Sequence, residues 1–122
     1  MSITDPSFLA FVELQRADYR AALPQRLAQI ELLWHQVLNG DSAVEALTTL
    51  ERCAHSLAGS GATFGFAGVG NAARELERTI TTLLDTACAL TVGTQSQINL
   101  AIELLQRSLP GEIGTQRVRP QA

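Results

Sequence analysis

Residues 47–66 read LTTLERCAHSLAGSGATFGF, and this stretch decides the fold. Apolar or small residues recur in it at spacings of three and four, as on one face of an amphipathic helix. These residues are Leu47, Leu50, Ala54, Leu57, Gly61 and Phe64. A glycine inside a helix costs about 1 kcal/mol relative to alanine. Gly61 on the apolar face indicates close approach of another helix, and Gly65 at the end of the pattern indicates a left-handed cap. Gly59 lies off the apolar face and needs another explanation.

Helical periodicity continues on both sides of this stretch, and strand signals are nearly absent. The sequence Thr4-Asp5-Pro6 predicts the start of the first helix, because a capping residue precedes a proline. Gly40 and the Pro110-Gly111 pair predict helix ends. The apolar patterns run from Phe8 to Leu38, from Leu47 to Phe64, from Val69 to Leu84 and from Ile98 to Leu109.

Pro24 lies inside the first pattern and is expected to kink that helix or to divide a short leading helix from the next. A single amphipathic helix cannot bury its apolar face alone. The patterns therefore predict an all-α fold, an antiparallel up-down four-helix bundle with an additional N-terminal helix. We expect residues 1–111 to form this one domain and the polar residues 112–122 to form a mobile C-terminal tail.

The composition argues against several classes of function. The chain has 122 residues, 46% hydrophobic and 17% charged, which is typical of one folded domain. Its net charge is −3, and its nine basic residues are scattered arginines, so no nucleic-acid partner is expected. No apolar run approaches the roughly 18 residues of a membrane span, and the N-terminus lacks a signal-peptide pattern. We therefore expect a cytoplasmic protein that does not insert into membranes. Cys53 and Cys88 have no metal-ligand spacing and are predicted to be small buried residues.

His55 is the candidate functional residue. Helical geometry places it about 125° from the centre of the apolar face, on a flank that faces solvent. Gly59 follows one helical turn later, and Ala58 and Ala62 also border the histidine, so nothing large overhangs the imidazole. We expect Ala58, Gly59 and Ala62 to line a docking surface for a macromolecular partner. His35 has no special neighbours and is assigned no role.

The segment from Ala54 to Phe66 resembles the phosphorylation-site helix of histidine-containing phosphotransfer (HPt) domains, especially the N-terminal phosphotransfer module of chemotaxis histidine kinases. The matching elements are an HxLxG pattern, a TFGF turn and a downstream Leu-Glu pair. In this chain they are His55, Leu57 and Gly59, residues 63–66, and Leu76-Glu77.

The resemblance implies a four-helix bundle whose exposed histidine takes a phosphoryl group from an aspartyl phosphate of a receiver domain and passes it to another receiver. It implies that Nε2 of His55 accepts the phosphoryl group and that Glu77 accepts a hydrogen bond from Nδ1. Many family members have lysine three residues after the histidine, where this chain has Ala58. Arg52 and Arg74 are the candidates to stabilise the phosphoryl charge instead.

The resulting prediction is a monomeric phosphocarrier in a multistep phosphorelay of two-component signalling. Its expected partners are receiver domains of response regulators, hybrid sensor histidine kinases, or both. The sequence has no glycine-rich nucleotide loop with lysine and no kinase signature, so we expect no ATP site. No cofactor is expected on this chain, and Mg²⁺ is expected on the receiver.

Two other classes of protein are alternatives to the phosphocarrier. One is a helical adaptor that binds a signalling partner without phosphotransfer, in which His55 is incidental. The other is a metal or haem bundle, which is disfavoured because Cys53 and His55 diverge by about 200° around their helix.

Overall fold

The computed structural model describes residues 5–86 and 90–110. Within these residues there are four α-helices and no strands: α1 (Pro6–Asn39), α2 (Ala43–Thr63), α3 (Ala67–Asp85) and α4 (Val92–Arg107). Helix α2 contacts both α1 and α3, and α4 packs on α3. Trp34 Nε1 of α1 donates a hydrogen bond to Asn99 Oδ1 of α4 at 2.7 Å, which closes the ring of helices. The predicted all-α up-down four-helix bundle is confirmed.

Pro24 does not divide the first helix, since α1 runs through it without a break. The predicted additional N-terminal helix is therefore wrong, and the residues assigned to it form the first half of α1. Proline leaves the carbonyl of Arg20 without its helical donor. Pro24 is exposed, so water can bind that carbonyl. Tyr19, Leu23 and Leu27, on either side of Pro24 in the sequence, are buried, so both halves of α1 pack on the core.

The ends of α1 lie where capping chemistry predicts. The Asp5 side chain accepts a hydrogen bond from the backbone N–H of Ser7 at 2.7 Å, which satisfies a free donor of the first turn. Gly40 ends the helix in the left-handed region, with φ of 80°.

The apolar faces of the helices bury one core. Five of the six positions predicted on α2 are buried, and Phe64 is half-buried. Cys53 is half-buried against the core, so the prediction that it is buried holds only in part. Cys88 and the tail predicted at 112–122 lie outside the described residues. The largest side chains that are almost completely buried are Leu23, Ile30, Leu50, Leu57, Leu76, Ile80, Ile98, Leu105 and Val69.

Helices α2 and α3 come unusually close at a pair of glycines. A Cβ built on Gly61 would lie 2.8 Å from the backbone nitrogen of Gly70, nearer than such atoms can approach. A Cβ on Gly70 would lie 3.1 Å from the carbonyl oxygen of Ala58. The close approach predicted at Gly61 is therefore confirmed.

The turn between α2 and α3 is closed by the left-handed cap that the sequence predicts at Gly65. Gly65 has φ of 84°. The N–H of Phe66 donates to the carbonyl of Gly61 at 2.7 Å, and the N–H of Gly65 donates to the carbonyl of Ala62 at 3.2 Å. These two bonds satisfy carbonyls at the end of α2 and direct the chain into α3.

None of the helices within 5–86 and 90–110 combines the length and the apolarity that crossing a membrane requires.

Candidate functional site

His55 occupies the exposed flank of α2 that the helical periodicity predicts. Its side chain is 75% exposed, whereas Ala54 and Leu57 on the same helix are buried. The imidazole therefore projects from a segment whose other face is fixed in the core. This arrangement combines a rigid support with access from solvent.

Glu77 of α3 holds one side of the imidazole. Its Oε2 lies 2.7 Å from Nδ1 of His55, and the Glu77 side chain is only 26% exposed. A carboxylate at Nδ1 favours the tautomer in which Nδ1 carries the proton and donates it in a hydrogen bond. Nε2 then keeps its lone pair, and this nitrogen is the nucleophilic atom of a neutral imidazole. The structure thus brings together the two residues that the sequence resemblance paired.

The surroundings of His55 form a shallow depression on the α2–α3 face. Besides His55 and Glu77, it is lined by Thr48, Glu51 and Arg52. Arg52 is the cationic residue of this lining, and it precedes His55 by three positions on α2.

Arg74 was the second candidate cation, and it does not line the depression. It lies exposed on α3, three residues before Glu77.

Sequence reasoning missed a second contact across the same pair of helices. The hydroxyl of Thr81 on α3 donates to a carboxylate oxygen of Glu51 on α2. Glu51 precedes His55 by four residues and Thr81 follows Glu77 by four. The Glu51–Thr81 contact therefore lies one helical turn from the His55–Glu77 contact along the antiparallel pair α2 and α3. No single segment signals this contact, because it depends on the register between α2 and α3.

The small residues near His55 divide into an exposed pair and a buried one. A Cβ built on Gly59 would meet no atom within 4 Å, so Gly59 faces open space. Ala62 is also exposed. Ala58 is only 3% exposed, so its predicted place on the docking surface is wrong. The close approach at Gly61 and Gly70 brings α3 over Ala58 and covers it.

The TFGF turn is anchored to α1 by aromatic stacking. The ring of Tyr19 stacks on Phe64 with centroids 4.7 Å apart and on Phe66 at 5.6 Å. Arg16 Nε donates to the carbonyl of Phe64 at 2.9 Å, and its guanidinium lies 4.9 Å from the centroid of the Phe66 ring. These contacts fix the point at which the chain leaves α2, and so they help to set how α3 lies against it.

No cluster of three or more His, Cys, Asp or Glu side chains suited to a metal ion occurs in the part of the chain that the structure describes.

The family model of the Hpt domain matches residues 16–108, which is most of the chain. The protein therefore belongs to the Hpt domain family, and the resemblance to HPt domains seen in the sequence is confirmed. Hpt domains are helical phosphocarriers of two-component phosphorelays, and they interact with receiver domains and kinases. Neither a curated protein nor a solved structure gives a significant match.

Proposed function

We propose that this protein carries a phosphoryl group on His55 between aspartyl residues of receiver domains in a multistep phosphorelay. The observation that carries the proposal is the contact of Nδ1 of His55 with Glu77 at 2.7 Å on a ring that is 75% exposed. One nitrogen is oriented and the other is open to a partner. A helical adaptor that only binds a partner has no need of such a pair.

The transfer step uses Nε2 of His55 as the nucleophile. Its lone pair attacks the phosphorus of an aspartyl phosphate, the phosphorus–oxygen bond breaks, and the aspartate leaves as a carboxylate with the electron pair. The ring becomes positively charged as the nitrogen–phosphorus bond forms, while Nδ1 keeps its proton. The Glu77 carboxylate stabilises this charge through its hydrogen bond. Transfer to the next receiver reverses these steps on a second aspartate.

Arg52 supplies positive charge next to the transferred group. It lines the depression with His55, where a guanidinium can interact with phosphoryl oxygens. Arg74 is the second candidate and would have to reach the group from α3. The carrier itself uses no cofactor or ATP site, and Mg²⁺ belongs to the receiver. Phosphoryl transfer depends mainly on positioning and charge stabilisation. A small carrier can therefore supply the oriented histidine while the receiver supplies Mg²⁺.

The receiver docks on the open surface beside His55, over Gly59 and Ala62. A Cβ on Gly59 meets no atom, so a partner can approach the imidazole closely from this side. The protein acts as a monomer, because one exposed histidine and one receiver suffice for each transfer. The partner is a response regulator, a hybrid sensor histidine kinase, or both in turn.

The test is transfer of label from receiver domains phosphorylated on aspartate with radioactive phosphate. Label is expected on the wild-type protein and on a His35→Gln variant, the control for the only other histidine. No label is expected on His55→Gln. If wild type takes no label from a panel of receivers, the adaptor becomes the better hypothesis. If His55→Gln is labelled, the site is wrongly assigned.

A further inference from the structure

Glu51 is a carboxylate of the His55 depression to which the transfer step assigns no role. We propose that its negative charge, held in place by Thr81, raises the free energy of phosphorylated His55 and so favours onward transfer of the phosphoryl group. The inference rests on the proposed function in that it takes His55 as the phosphoryl acceptor. Glu51 then sets how readily the phosphoryl group leaves His55.

The position of Glu51 is fixed by two contacts of the fold. On α2 it lies one helical turn before His55, which places the two Cβ atoms about 5–6 Å apart. Across the interface between α2 and α3, its carboxylate accepts a hydrogen bond from the Thr81 hydroxyl. This bond keeps the carboxylate in the depression that His55 also lines.

The negative charges of Glu51 and Glu77 have different effects on the stability of phosphorylated His55. Glu77 contacts Nδ1 directly, so its charge is offset by the positive charge that the phosphorylated ring carries. Glu51 is bound to a neutral hydroxyl, which leaves its charge free to act on the phosphoryl group. Arg52 is the cation that lines the same depression, and no ion pair joins it to Glu51 or Glu77 among the residues that the structure describes.

The phosphoryl group on Nε2 carries up to two negative charges. Repulsion from a carboxylate one turn away in a water-exposed depression corresponds to about three- to tenfold in the stability of the phosphohistidine. The repulsion falls as the phosphorus–nitrogen bond lengthens in the loose transition state, and it is relieved once the group has left. It therefore shortens the lifetime of the phosphohistidine and shifts the equilibrium toward the receiver.

Chemical phosphorylation tests this without any receiver. In a His35→Gln background, His55 is the one remaining histidine. Phosphoramidate phosphorylates it when Nε2 attacks phosphorus, the phosphorus–nitrogen bond of the reagent breaks and ammonia leaves. The half-life of the phosphohistidine is then followed by phosphorus NMR at low ionic strength. Circular dichroism and thermal melting of each variant show whether the bundle stays folded.

Glu51→Gln keeps an acceptor for Thr81 and removes the charge, and its phosphohistidine is expected to last about three- to tenfold longer. Glu51→Asp retains the charge and is expected to return most of the way to the wild-type half-life. Glu45→Gln is the matched control, because Glu45 is exposed on the same helix but ten residues before His55. It is expected to change the half-life less than about twofold.

High salt separates an electrostatic role from a structural one. The difference between Glu51→Gln and wild type should shrink as the Debye length falls from about 30 Å at 0.01 M to about 3 Å at 1 M salt. An unchanged half-life in Glu51→Gln, an effect that salt does not reduce, or failure of His55 to be phosphorylated would overturn the proposal. Failure of receivers to label a His55 that phosphoramidate does label would instead count against the proposed phosphorelay function alone.

Discussion

Nδ1 of His55 and Oε2 of Glu77 lie 2.7 Å apart, although the two residues are 22 positions apart in the chain. The imidazole is largely exposed and the carboxylate is largely covered by its surroundings. A partly buried acceptor is held in place by packing, so it orients a ring that would otherwise rotate freely in solvent.

Replacing Glu77 with glutamine should slow phosphoryl transfer from a receiver by at least about tenfold. A charge-assisted hydrogen bond contributes about 1.5–3 kcal/mol, and the amide cannot offset the charge on the ring. The measurement is the initial rate of label transfer to His55. Glu75→Gln is the matched control, because Glu75 is on α3 and pairs with Arg78 at 2.9 Å instead. Equal rates for the two variants would show that Glu77 is an ordinary surface residue.

Arg52→Gln should lower the transfer rate by about threefold to tenfold, because it removes the cation that lines the depression. Arg74→Gln should have a smaller effect, since Arg74 does not line it. Both variants lose one exposed arginine, so each serves as the control for the other. A slow Arg74 variant beside a normal Arg52 variant would reverse the assignment.

The two glycines of α2 should respond to alanine in opposite directions. Gly59→Ala should raise the free energy of unfolding by about 0.5–1 kcal/mol, because the new methyl group meets no atom and the unfolded chain loses freedom. Gly61→Ala should lower it by about 1–3 kcal/mol, because the methyl group would press on the backbone of Gly70. Urea unfolding measures both, and a stable Gly61→Ala variant would argue against the tight contact of α2 and α3.

Gly59→Glu should reduce transfer from a receiver and leave the bundle folded. The side chain has open space, so the fold tolerates it, but its bulk and charge obstruct the approach to His55. Transfer rate and melting temperature are measured together. Val44→Glu adds the same group at a 71% exposed position near the start of α2 and should transfer at the wild-type rate. Normal transfer by Gly59→Glu would mean that the receiver docks elsewhere.

The sequence alone determined the apolar faces of the helices and the direction in which His55 points. Both follow from the local geometry of about 100° per residue, which needs no knowledge of the neighbouring helices. The same local rule could not decide the effect of Pro24. A proline lacks one hydrogen bond, and whether the helix continues depends on the packing on either side of it.

The tertiary structure decided which residues meet across α2 and α3. The contact at Gly61 and Gly70 sets the distance between these helices, and their register then buries Ala58 and brings Thr81 to Glu51. The pairing of Glu77 with His55 was expected from the family resemblance, and periodicity could not supply it. Side-chain direction is a property of one helix, whereas a contact between two helices depends on how both pack in the whole bundle.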